Sequence, residues 1–329
     1  MSAAVANGRW SEFEPTEGTG VVDAIRHEAG HLPQIALSYE PKIKLLWITL
    51  KPEPKPVFTL PLIESVRRVQ HAIWNLWQKR SDRPILFLGY RGQGSVFSLG
   101  GDLDYYLDCL AKNDRAGLSA YARQAADVIR LNRTGVNGAV ITLSTVHARA
   151  LGGGIDPARA CNVMIAEEGA TFCYPEVNYN HFPISAVPIL SRHTGAIEAE
   201  RILLSGREFS AAEFLAKGAL DAVVEAGTGE DWIRRYAAAS LPSHSARTAL
   251  IAAFDRQTGT LEHELAAGVE SWVSHIMTLR PVEIAKLQRI TAAQERLLSR
   301  VLRAERGDVA RTAGPRSSLG LDPASTTDA

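Results

Sequence analysis

Cysteine is scarce in this chain: Cys109, Cys161 and Cys173 are the only three among 329 residues. An odd, scattered set in apolar surroundings excludes a disulfide scaffold. It reads as buried reduced thiols, which fits a cytoplasmic protein. Excess charge is missing too, because 36 Lys and Arg balance 36 Asp and Glu. Such a chain gives no reason to expect nucleic acid or an anionic membrane as partner. No run reaches the roughly 18 apolar residues of a spanning helix. The first residues, Met1-Ser-Ala-Ala-Val-Ala-Asn-Gly8, lack the basic and apolar segments of a secretory signal. There is no dinucleotide-binding glycine fingerprint and no repeat with recurring motifs. What is present is 46% apolar residues, enough for one large or two modest cores.

The pattern along the chain predicts an α/β fold. Residues 1–33 read as a loose, flexible N-terminal extension. Residues 35–39 and 44–50 read as paired strands, followed by the proline-rich loop 51–56. Leu62, Val66, Val69, Ile73 and Leu76 recur at helical spacing. Strands are expected at 84–90, 140–146, 162–166, 170–174 and 220–224. A long helix is expected at 116–132, with shorter ones at 196–204 and 211–218. Residues 230–305 are helical by pattern, and the Ser-, Thr-, Gly- and Pro-rich tail 306–329 reads as disordered. The expected division is thus a core at 34–229 and a C-terminal helical region at 230–305.

Two glycine turns stand at the ends of apolar runs. Gly152-Gly-Gly154 closes one run and opens onto Asp156, and Pro175-Glu176 follows twenty residues later. Gly100-Gly101 closes another run and opens onto Asp102 and a helical pattern. Glycine lets backbone approach a ligand closely, and free N–H groups at a helix start suit a developing oxyanion. Two acids beside such donors can move protons on and off a carbon next to a thioester carbonyl.

With these turns the chain resembles the crotonase (enoyl-CoA hydratase/isomerase) superfamily. Four further motifs resemble one branch, the diffusible-signal-factor synthases: Phe97-Ser-Leu-Gly-Gly-Asp-Leu103, Ala166-Glu-Glu-Gly169, Pro175-Glu-Val177 through Phe182-Pro183, and Trp47-Ile-Thr-Leu-Lys-Pro52. The resemblance runs from about residue 35 to 280. It implies a spiral of ββα units with a C-terminal helical region, the latter packing on neighbouring subunits of a trimer or hexamer. It implies oxyanion donors in the backbone N–H groups of Gly101 and Gly153, catalytic carboxyls at Asp156 and Glu176, and an acyl-pocket aromatic at Trp272. The implied substrate is a 3-hydroxyacyl chain on acyl carrier protein or coenzyme A. Dehydration and then hydrolysis would yield a free cis-2-enoic acid signal, with a sensor kinase as a further partner. No metal or redox cofactor is needed. The same scaffold also serves ordinary enoyl-CoA hydratases and isomerases, and catalytically weak acyl-binding or regulatory relatives.

One departure bears on all three readings. The family carries Glu where this chain has Asp156, a side chain shorter by one methylene. Asp-Pro is also a helix-start pair, so a bare N-cap is the plain alternative for Asp156. For Glu176 the alternative is a surface carboxylate. His147 and His181 read as hydrogen-bonded structural histidines, Asp102 as a helix cap, and Trp272 equally as helix packing. The Arg and Lys from 280 to 311 read as a solvated face or a surface for an acidic carrier protein. His27-Glu-Ala-Gly-His31 fits the zinc-protease H-E-x-x-H pattern, but Gly30 and Pro33 interrupt its helix and no third ligand follows.

Overall fold

The computed structural model describes residues 20–312 except 80, 258 and 260. Ten strands form two sheets: β1 (Ile35–Glu40), β2 (Leu45–Leu50), β3 (Phe87–Arg91), β4 (Val96–Ser98), β5 (Ile141–Val146), β6 (Arg149–Leu151), β7 (Val163–Glu167), β8 (Thr171–Cys173), β9 (Glu208–Ser210) and β10 (Ala222–Val224). The large sheet has the order β1-β2-β3-β5-β7-β10, and the small sheet β4-β6-β8-β9. β1 and β2 pair antiparallel, with Ile35 opposite Leu50, and the rest of the large sheet is parallel. The chain runs from a large-sheet strand to a small-sheet strand, through helix, and back. Each of the cycles β3–β4, β5–β6 and β7–β8 adds one strand to each sheet. The outcome is the α/β spiral of ββα units that the resemblance implies.

Burial explains why the large sheet forms. β2 and β5 are buried at every position, as expected for parallel strands covered on both faces. Alternate residues serve different cores. Leu46, Ile48 and Leu88 face the main one. Leu45, Trp47, Phe87 and Ile141 face a second, closed by Ile233 and Ala237 of helix Gly229–Ser240.

Both ends of the described chain differ from the sequence reading. Residues 20–33 are not a loose extension. Helix Gly20–Ala29 buries Val22 and Ile25 in the main core and packs on helix Leu60–Lys79. The apolar spacing at 22, 25 and 29 is that of a one-faced helix. Residues 1–19 lie outside the described residues. At the other end, helices Gly229–Ser240, His244–Gln257, Leu261–Ile276 and Pro281–Thr312 follow the core. The last runs through 306–312, where a disordered tail is expected from sequence. Gly307 alone does not stop a helix, and no proline follows before Pro315. Residues 313–329 lie outside the description.

Candidate active site

β4, β6 and β8 are parallel neighbours, so their C-terminal ends share one edge of the small sheet. Gly100-Gly101 follows β4, the turn Gly152–Gly154 and then Asp156 follow β6, and Pro175-Glu176 follows β8. Three turns far apart in sequence are thereby brought to one place. They border a cavity of about 250 Å³, and Gly101, Gly153, Asp156, Glu176 and Trp272 all line it. The rest of the wall is largely apolar, with Phe58, Ile63, Val66, Val128 and Ile129 among its residues.

Backbone geometry sets the two N–H groups differently. Among the described residues the Gly101 N–H meets no hydrogen-bond acceptor. Its glycine is required because the Tyr106 hydroxyl lies 2.1 Å from where a Cβ would stand. The Gly153 N–H donates to Glu176 Oε1 at 2.9 Å. The neighbouring Gly152 permits this contact: its φ is +51°, and a Cβ there would fall 2.1 Å from Glu176 Oε1. Gly153 itself has open space on its Cβ side and no positive φ. A side chain at Gly153 therefore fills the cavity without straining the backbone.

The two carboxyls are both buried and both hold their protons more tightly than in water. Burial raises Glu176 to about 8; the nearby Asp156 charge adds to this, while the Gly153 N–H opposes it. Glu176 is 6% exposed, and its Oε2 is buried with no hydrogen-bond partner among the described residues. Burial raises Asp156 to about 6 against the hydroxyls of Ser185 and Tyr174, which favour the ion. Tyr174 Oη donates to Asp156 Oδ1 at 2.8 Å, and Ser185 Oγ donates to Oδ2 at 2.7 Å. The N-cap alternative for Asp156 fails. Ile155 occupies the cap of helix Asp156–Arg159, and Asp156 stands inside it with no capping bond. The surface alternative for Glu176 fails on its burial.

Trp272 Nε1 donates to His181 Nε2 at 3.0 Å, and its ring meets Tyr106 edge-on at 5.0 Å. His181 lines the cavity. Burial, with His275 beside it, pushes its imidazolium down to about 3, so the ring is neutral. His147 instead bonds the Gly94 carbonyl at 2.8 Å and is not part of the wall. Asp102 caps helix Leu103–Ala111 by accepting from the Tyr105 N–H. All three cysteines are buried free thiols. His31 follows Gly30, whose φ of +74° ends the first helix, so His27 and His31 do not share a helical face. Glu28 there is held by Asn75 and Lys79. In the basic stretch, Arg280 is tied to Glu283 at 2.6 Å, and side chains beyond 300 lie outside the description.

Sequence reading missed Tyr174, Ser185, Tyr106 and the Trp272–His181 bond. Their partners stand 18, 29, 5 and 91 residues away in the chain. Only the i, i+5 step from Gly101 to Tyr106 is near enough to have been noticed.

The family model described as "Enoyl-CoA hydratase/isomerase" matches residues 70–277, and the chain belongs to that family. Mevalonyl-coenzyme A hydratase sidH of Aspergillus fumigatus is 28% identical over 193 residues, 56% of this chain and 64% of that protein. A probable enoyl-CoA hydratase of Bacillus subtilis is 28% identical over 142 residues, 43% of this chain and 53% of that protein. The chain thus matches less than two thirds of the length of either relative. An enoyl-CoA hydratase structure from Bacillus halodurans shares the fold with a TM-score of 0.66 at 21% identity, covering 79% of this chain and 99% of that one. The Pseudomonas aeruginosa DspI structure shares it with a TM-score of 0.59 at 22% identity, covering 81% and 91%.

Proposed function

We propose that this protein interconverts 3-hydroxyacyl and 2-enoyl thioesters in the cavity at the small-sheet edge. The observation that carries this reading is Glu176: a buried, proton-retaining acid with one oxygen unpartnered among the described residues, set against the peptide N–H that would hold an enolate. In the dehydration direction the thioester oxygen accepts from the Gly101 and Gly153 N–H groups. Glu176 in its ionised form takes the C2 proton, the enolate forms, and the C3–O bond breaks. The leaving oxygen departs as water with the proton that Glu176 has gained, which returns Glu176 to its ionised form. Acid–base help of this kind is worth about 10²–10⁴-fold.

Carbonyl capture and base strength are coupled. The thioester oxygen must take the Gly153 N–H that Glu176 otherwise holds. Glu176 then loses a bond that lowers its proton affinity, so it becomes a stronger base once substrate is seated. Asp156, with both oxygens accepting from hydroxyls, acts here as the neighbouring charge. The scheme uses only peptide and carboxyl groups of the chain and calls for no cofactor.

The finer reading follows the resemblance to diffusible-signal-factor synthases. The substrate is carried on acyl carrier protein, and water then cleaves the thioester to release a cis-2-enoic acid. Hydratase activity on coenzyme A thioesters is the second reading, favoured by the printed names of the relatives. Homo-oligomers are proposed with either. Helix His244–Gln257 buries none of its own residues and exposes Leu250 and Phe254 at 59% and 60%. No helix among the described residues is long and apolar enough to cross a membrane.

Incubating purified protein with 3-hydroxydecanoyl-CoA and with the same acyl group on acyl carrier protein, followed by mass spectrometry, separates the readings. Free 2-decenoic acid from the carrier-protein substrate supports the synthase. Enoyl thioester alone supports the hydratase. No turnover of either substrate refutes both.

A further inference from the structure

We propose that His181 donates a hydrogen bond from Nδ1 to the oxygen on C3 of the bound acyl chain, and that Trp272 fixes the tautomer that makes this possible. The proposal rests on the acyl-thioester reading above. Indole Nε1 is a donor and never an acceptor. The Trp272 N–H therefore points at a lone pair on His181 Nε2, 3.0 Å away. A neutral imidazole with a bare Nε2 carries its proton on Nδ1. That Nδ1–H is buried and has no hydrogen-bond acceptor among the described residues. Aromatic rings pack round the histidine: Tyr179, Phe182, Trp272 and His275 lie at centroid distances of 5.5–6.3 Å.

A buried donor without an acceptor is costly unless something supplies one. The ring lines the cavity beside Glu176, and the His181 N–H holds the Glu176 carbonyl at 3.0 Å. Base and donor thus ride on one short turn. Of the hydroxyls that line or adjoin the cavity, Tyr174 and Ser185 donate to Asp156 and Tyr121 donates to the Phe58 carbonyl, while those of Tyr106 and Tyr179 are further wall groups. The thioester oxygen has the peptide donors of Gly101 and Gly153. The remaining oxygen near the reacting carbons is the one on C3. A neutral N–H there recognises the hydroxyl in the ground state and stabilises the negative charge that grows on it as the C3–O bond breaks. His181 is a catalytic residue in this scheme, and Trp272 a positioning residue.

The test uses the full chain carrying Glu176→Gln to halt turnover, with calorimetric binding of 3-hydroxydecanoyl-CoA and of decanoyl-CoA, which lacks the hydroxyl. The hydroxylated thioester is expected to bind about tenfold more tightly, the worth of one ordinary hydrogen bond. His181→Phe should bring that ratio close to one while decanoyl-CoA affinity stays within about threefold. His181→Asn, whose amide nitrogen stands near the Nδ1 position, should keep part of the preference. Nitrogen NMR of the histidine rings should show His181 protonated on Nδ1 in the free protein, and as a tautomer mixture in Trp272→Phe. An unchanged ratio in His181→Phe, or a proton on Nε2 in the free protein, overturns the proposal. If neither thioester binds, the acyl-thioester reading fails and takes this proposal with it; if both bind and His181→Phe changes nothing, only the proposal fails.

Discussion

The turn after β6 carries Asp156 and the turn after β8 carries Glu176, one strand apart in the same small sheet. Both acids are buried, yet their surroundings differ. Asp156 has a hydroxyl on each oxygen. Glu176 accepts the Gly153 N–H on Oε1, and its Oε2 has no partner among the described residues. The better-solvated ion rises to about 6 and the poorly solvated one to about 8. Two hydroxyls thus separate two carboxyls into a better-satisfied ion and a more tightly proton-holding acid. In the proposed reaction this difference, more than the presence of two carboxyls, assigns the proton transfer.

Removing the working acid should have the largest effect. Glu176→Gln is expected to lower kcat for 3-hydroxyacyl thioester by about 10²–10⁴-fold, measured on the substrate pair above. It should also stabilise the fold in a pH-dependent way. A carboxyl whose folded proton affinity is raised leaves the folded state stable below the usual carboxylate range, and that stability is lost as pH rises toward about 8. The gain in Tm over wild type should be nil near pH 4 by this linkage and greatest above pH 8. A variant that turns over within about threefold of wild type would reverse the assignment of the two acids.

The glycines of the first turn sharpen the contrast. Gly152→Ala places a methyl on Glu176 and a positive φ on alanine, so it should lose about 100-fold in kcat and melt earlier. Gly153→Ala projects into open space. It should raise KM with little change in Tm. Equal thermal loss in the two variants would mean that the turn tolerates neither residue and that the cavity-facing role of Gly153 is wrong.

Changes around the settled charge should be smaller. Asp156→Asn removes a charge that helps raise Glu176, so the pH limb of kcat assigned to Glu176 should move to lower pH, with about a tenfold loss in kcat as Glu176 becomes the weaker base. A pH limb that stays in place would show that the two carboxyls do not feel each other. Tyr174→Phe should leave kcat within about threefold while costing about 1.5–3 kcal/mol in thermal or denaturant unfolding, because it strips a hydrogen bond from a buried ion.

Sequence reading succeeded where the chain repeats a physical signal over many residues. β2 and β5 are six-residue runs rich in apolar and β-branched residues, buried at every position, and the helical spacing from Leu62 to Leu76 lies within helix Leu60–Lys79. β4, β6 and β9 are three residues each and were not read as strands. Yet β4 and β6 align the glycine turns. The candidate residues of the site were legible because glycine runs and acids after prolines are visible locally, and all five line one cavity. Their electrostatic division was not, since Tyr174 and Ser185 reach Asp156 only after the spiral has closed. Helix Ala186–Thr194 was likewise unread. Val21, Val22 and Ile25 fit a short amphipathic helix, as found at Gly20–Ala29, but the little periodicity of residues 1–33 as a whole made the segment read as loose.

Helix Pro281–Thr312 has a bearing on timing during synthesis. Its Ile290 and Gln294 line the cavity, Gln294 reaches the Leu99 carbonyl at 3.3 Å, and Glu283 holds Asn180, four residues past Glu176, at 2.9 Å. A nascent chain that has emerged only as far as residue 280 already contains all three spiral turns and both acids, but not this wall. Until that helix docks, the growing polypeptide holds both acids beside a cavity that lacks part of its lining. The wall closes only when the last described helix is in place.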